Sequence, residues 1–164
     1  IFKTNWHFIM NDKRSLQDIH APKSICFGCG PMNENGLKIK SYKYKNGLKM
    51  NFHPKKEHQA FPGVLNGGII GTLFDCHGNW TAAMSIFESN NQKQFPATVT
   101  AFFEVQLLKP TPVDTKIEIF SQIITSSKNK AKVELELFSK NDICAKSIGV
   151  FISVKEGHPA FYRW

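Results

Sequence analysis

Two short stretches of this chain could do chemistry: Asn66-Gly67-Gly68 and, eight positions after Gly67, Asp75. Asn is a favoured helix N-cap. The first N–H groups of a helix lack intrahelical partners, and the helix dipole favours negative charge there. Glycine lets a carbonyl approach such donors closely. This arrangement suits the binding of an oxyanion, while a carboxylate suits the activation of water or direct attack on a carbonyl. Asp75 follows Leu73 and Phe74 on an otherwise apolar stretch, an unusual place for an acid. Eight residues of helix span about 12 Å, so Gly67 and Asp75 of one chain cannot easily act on one carbonyl. Antiparallel helices across a two-fold axis would bring Gly67 of one copy to Asp75 of another. A homo-oligomer, dimer or dimer of dimers, is therefore expected.

The elements that must position these residues can be read from periodicity. Ile69, Ile70, Leu73, Phe74, His77, Trp80, Met84 and Phe87 recur at three- and four-residue steps, which predicts a helix from the Asn66 cap to about Phe87. Gly71 and Gly78 lower its propensity and are expected to allow close approach of another backbone. Before it, strands are predicted over 37–44 and 48–53, with Asn46-Gly47 as the hairpin turn. Residues 54–68 read as a loop. After the helix, alternation predicts strands over 98–108, 116–125, 132–139 and 143–154, with a turn at Asn141-Asp142. A helix of about 22 residues is about 33 Å long, similar to the width of six strands at about 4.8 Å spacing. The fold class is α+β: an antiparallel sheet wrapped around one long central helix, the hotdog arrangement. The expected organisation is an N-terminal extension over 1–24 with room for a short helix, one domain over 25–154 and a tail over 155–164.

Composition narrows the partners. The chain has 164 residues, 41% of them hydrophobic and 14 of them Phe, which is enough for an aromatic-rich core. The net charge of +8 favours an anionic partner. Lysines are scattered in small groups such as Lys38, Lys40, Lys43 and Lys45, with no nucleic-acid arm and no recognised nucleic-acid module. No apolar run reaches membrane-spanning length, and residues 1–20 do not read as a secretory leader. A cytoplasmic location with free thiols is the expectation. No cofactor is expected.

Of the four cysteines, only Cys26 and Cys29 are close in sequence. A structural zinc needs four ligands, no second Cys pair exists, and His53 and His58 are weak partners, so no metal site is expected. The pair reads as a turn with small thiols rather than a redox motif, and Cys76 as a core residue. His77, two residues after Asp75, points to a different side and reads as a packing or interface histidine.

The run from Gly63 through Asn66-Gly67-Gly68 to Asp75 resembles the signature of PaaI-type hotdog thioesterases. Cys26-Phe27-Gly28-Cys29-Gly30-Pro31 with Asn35-Gly36-Leu37, Val99-Thr100-Ala101, and Leu108-Lys109-Pro110-Thr111-Pro112 resemble further segments of that family, so the match runs over roughly 25–154. The resemblance implies thioester hydrolysis of an acyl-CoA. It implies that Asp75 is general base or nucleophile, that the Gly67 N–H polarises the thioester carbonyl, and that Thr100 helps to place water. Asp75 and Thr100 would face Gly67 of a neighbouring subunit. The expected substrate contacts are Asn66, Gly68, Thr98 and Phe61, with Phe61, Phe74, Trp80 and Phe102 lining an apolar pocket and Lys109 near the CoA phosphates. Two departures matter: the family's usual His is Asn66 here, and Ala60 stands where some relatives carry a polar Asn. They favour an alternative, a non-catalytic acyl-CoA-binding protein. A hotdog hydratase or dehydratase ranks lower, because its loop His is missing.

Overall fold

The computed structural model describes residues 14–164. Residues 1–13 of the expected N-terminal extension lie outside it. Ser15 caps a short helix α1 (Leu16–His20), its hydroxyl accepting from the Asp18 N–H at 3.2 Å. Strands β1 (Tyr42–Tyr44) and β2 (Gly47–Phe52) follow, and then a short hairpin of β3 (Gln59–Phe61) and β4 (Val64–Leu65). The long helix α2 (Gly67–Ser89) comes next, and then β5 (Thr98–Leu107), β6 (Ile117–Ser126), β7 (Lys130–Ser139) and β8 (Asp142–Ser153). All but β3 and β4 form one antiparallel six-stranded sheet in the order β1-β2-β6-β7-β8-β5.

The core lies between this sheet and α2. Alternation along β7 buries Ala131, Val133, Leu135 and Leu137 on one face, against Leu73, Phe74, Trp80 and Ile86 of the helix. Burial of such side chains stabilises by about 1.5–3 kcal/mol each. The second half of α2 is buried on all sides, from Cys76 through Met84, where the C-terminal residues add to the cover that the sheet gives. Trp80 stacks on Phe95 and packs against Trp164. The last residues are held there by Arg163 donating to the Thr98 carbonyl at 2.7 Å and by the Trp164 indole donating to the Pro96 carbonyl at 2.8 Å.

Several expectations are refined. Only 42–44 of the predicted first strand join the sheet, because Lys38 takes a positive φ of 53°. Leu37 and Ile39 instead donate to the Phe27 and Gly28 carbonyls, so this stretch pairs with the cysteine loop. The hairpin turn sits at Lys45-Asn46, where Lys45 has φ 51°. Gly47 is a strand residue paired with Gln122, and a Cβ there would meet the Ser121 carbonyl oxygen at 1.8 Å. The 54–68 loop contains the β3–β4 hairpin. Gly78 makes room for a side chain rather than a backbone: a Cβ there would lie 2.7 Å from Phe151 Cζ.

Candidate active site

Asn66 caps α2 as its type and place predict. Its Oδ1 accepts from the Gly68 N–H at 2.7 Å and the Ile69 N–H at 3.3 Å. Among the described residues the Gly67 N–H has no hydrogen-bond partner. One helix-end donor is thus left for a ligand, with the dipole behind it. Gly67 sits over the end of β5, where a Cβ would meet Leu107 Cδ1 at 3.2 Å.

Two turns further on, Asp75 is partly exposed between the buried Phe74 and Cys76. The Thr100 hydroxyl of β5 donates to its Oδ1 at 2.5 Å. Behind Thr100 lies a residue that the sequence reading passed over. Asn79 is one helical turn after Asp75, on the same face, and is 3% exposed. Its amide donates to Thr100 Oγ1 at 3.4 Å, and its Oδ1 accepts from the Thr98 hydroxyl. The bonds run in one direction, Thr98 to Asn79 to Thr100 to Asp75, and end on the carboxylate. A polar amide in an apolar helix, four residues after an acid, was the available signal.

Other expected contacts are placed differently. Thr98 is fully buried and spends its hydroxyl on Asn79, so it supports the site from behind rather than lining its surface. Phe61 on β3 is 60% exposed and Phe102 on β5 52% exposed, whereas Phe74 and Trp80 are buried in the core. Ala60 is exposed on β3. Lys109 pairs with Asp142 at 2.6 Å on the surface, and that carboxylate holds its ammonium pKa up.

His77 is neither exposed nor near the carboxylate. It is fully buried, with Nδ1 2.8 Å from Ser41 Oγ and Nε2 3.3 Å from Ser121 Oγ. Burial pushes its pKa down to about 3, so the ring is neutral and ties Ser41, just ahead of β1, and Ser121 of β6 to α2. Cys76 is buried, as expected, but it is not simply a core residue. The fold brings it beside Cys26 and Cys29, with the three sulfurs within 4.8 Å of one another. A separation of 47 residues between Cys29 and Cys76 hid this from the sequence reading.

The site is open on one side. Among the described residues strand β5 is a sheet edge, paired only with β8, and exposes Phe102, Phe103 and Leu107 beside the first turns of α2. A long apolar edge of this kind normally meets a partner. A groove of about 310 Å³ lies elsewhere, between Tyr44, Phe120 and Phe138, and does not include Asp75 or Gly67.

A six-stranded antiparallel sheet wrapped on one long central helix defines a hotdog fold. The chain is 32% identical to a thioesterase superfamily protein from Shewanella loihica PV-4, over 71% of this chain and 91% of that one, with a TM-score of 0.61. It belongs to the thioesterase superfamily. The same fold is seen in the Escherichia coli PaaI protein from the phenylacetic acid degradation operon, at 13% identity, 73% and 81% coverage and TM-score 0.62. It is seen again in a Streptococcus mutans UA159 protein bound to acetyl CoA, at 14% identity, 71% and 88% coverage and TM-score 0.59. No family model and no curated protein matches the chain. No helix among the described residues is long and apolar enough to cross a membrane.

Proposed function

We propose that the protein hydrolyses the thioester of a small or medium acyl- or aryl-CoA, working as a dimer or a dimer of dimers. The observation that carries this reading is the donor chain ending on Asp75, on the helix flank beside the unpaired β5 edge. Superfamily membership and the acetyl CoA bound to the S. mutans relative support the substrate class. So does the +8 charge, which attracts the CoA phosphates.

Asp75 takes a proton from water as the water oxygen bonds to the carbonyl carbon, or attacks that carbon itself to form an anhydride that water then cleaves, freeing the acid and the carboxylate. The Gly67 N–H of the partner copy steadies the oxyanion. The C–S bond then breaks, and the CoA thiolate leaves and is protonated. Thr100 and Asn79 hold the carboxylate in place, since a fixed acceptor loses less on reaching the transition state. Pairing of two β5 edges would cover Phe102, Phe103 and Leu107 and bring the two helices together. The S. mutans protein's acetyl CoA makes a short acyl chain the first to try. We take 25–154 as the domain, with 1–24 as an N-terminal extension and 155–164 as a C-terminal tail.

One observation favours a second reading. Asn66 spends its Oδ1 on the cap and offers no imidazole, which fits a protein that binds acyl-CoA without turning it over. The test is CoA release from a panel of acyl-CoAs by wild type and Asp75→Asn. Turnover that falls about 10²-fold or more in the variant supports the enzyme. Absence of turnover, with acyl-CoA still raising the melting temperature, overturns it in favour of the binding protein.

A further inference from the structure

The three-sulfur cluster lies outside the donor chain on Asp75. Cys26 and Cys29 come from the loop before β1, and Cys76 from α2. The Cys26 and Cys76 sulfurs are 3.8 Å apart. Thiolates around one zinc ion at about 2.3 Å with tetrahedral angles stand roughly 3.8 Å from one another. The Cys26–Cys76 spacing is thus that of two ligands, is well outside S–S bonding distance, and the third sulfur lies within 4.8 Å of both.

The loop is built to hold that spacing. The Gly30 N–H closes it on the Cys26 carbonyl at 2.8 Å. A Cβ on Gly28 would stand 2.3 Å from Cys76 Sγ, and one on Gly30 would stand 2.4 Å from the Cys26 nitrogen. Only glycines let the loop settle this deeply on the helix. One sulfur also receives a donor. The Trp80 indole N–H points at Cys29 Sγ from 3.2 Å. Such an outer donor steadies thiolate charge and orients a metal ligand.

We propose that Cys26, Cys29 and Cys76 form a binding site for a thiophilic d¹⁰ cation, zinc(II) being the natural choice. No His, Asp or Glu among the described residues joins the cluster. The fourth position therefore falls to an external ligand on the side of Cys26, which is the most exposed of the three. On binding, the thiol protons pass to solvent. The ion ties the 24–37 segment to the helix that carries Asp75, one residue before Cys76. The role is structural and does not depend on the reading of Asp75.

The test uses the full-length chain, reduced and stripped of metal with a chelator. Cadmium(II) should bind at one equivalent per chain and give the ultraviolet thiolate-to-cadmium band, and zinc(II) should displace it. Zinc absorption spectroscopy of the loaded wild type should read three sulfur neighbours at about 2.3 Å. Cys76→Ser should weaken cadmium binding at least about tenfold, while Cys144→Ser, outside the cluster, should not. A zinc shell of nitrogen and oxygen alone overturns the proposal, as does the absence of a stoichiometric band. Equal affinity in Cys76→Ser also overturns it. The spectroscopy on wild type decides the matter even if Cys76→Ser does not fold. CoA release is measured separately, so failure of the metal site and failure of the thioesterase reading are told apart.

Discussion

Acid should destabilise this protein through one buried ring before its carboxylates begin to titrate. His77 is fully buried between the Ser41 and Ser121 hydroxyls, and burial lowers its pKa from 6.5 to about 3. Unfolding returns it to the ordinary value. Between the two values the unfolded chain binds a proton that the folded chain does not. Folded stability is therefore complete above about pH 6.5 and is lost as the pH falls towards the folded value. At about pH 5 the unfolded imidazole is favoured by roughly 1.5 pH units, which is about 2 kcal/mol at about 1.4 kcal/mol per unit. That figure requires only that the folded value lie well below 5. It corresponds to a fall in Tm of roughly 4–8 °C for a domain of this size. His20 and His58 shift in the same direction, so the comparison must isolate His77. His77→Gln keeps hydrogen-bonding capacity for the two serines and does not titrate. Urea unfolding of both proteins between about pH 5 and pH 7 should give a slope that is smaller in the variant by that amount. Equal slopes would refute the reasoning. So would a His77 ring proton that titrates by NMR near 6.5 in the folded protein.

The other expectations concern packing, the cap and assembly. Gly78→Ala improves helix propensity but puts a methyl 2.7 Å from Phe151 Cζ, so thermal unfolding should show a net loss of about 1–3 kcal/mol. Asn66→Ala removes the acceptor for the Gly68 and Ile69 N–H groups and should cost about 1 kcal/mol in chemical denaturation. Phe103→Asp places a charge on the β5 edge, and sedimentation should then show monomer, with CoA release falling in parallel. An unchanged assembly would move the interface away from β5.

Much of the architecture was legible before any coordinates. Period-two alternation in β6, β7 and β8 and the three- and four-residue steps of α2 are local properties, because each reports which side of its own element meets the core. The Asn66 cap and the place of Asp75 on the helix were legible for the same reason. Less local features were misread. The Asn46-Gly47 pair suggested a turn one residue late, because Gly47 is needed for a close approach from β6 and not for the turn. The β3–β4 hairpin is too short to show a period, and Phe74 and Trp80 looked like pocket residues only because pattern does not tell a core aromatic from a lining one.

What belonged to the sequence alone was the set of amphipathic elements, the helix start and the acid two turns into it, since these depend on contacts a few residues apart. Tertiary structure decided which strand lies at the sheet edge, which amide stands behind Thr100, and which third sulfur joins Cys26 and Cys29. Each of these joins residues 20 or more positions apart. Their meeting is set by how the whole sheet closes over one helix, a global packing solution that no short stretch of sequence encodes.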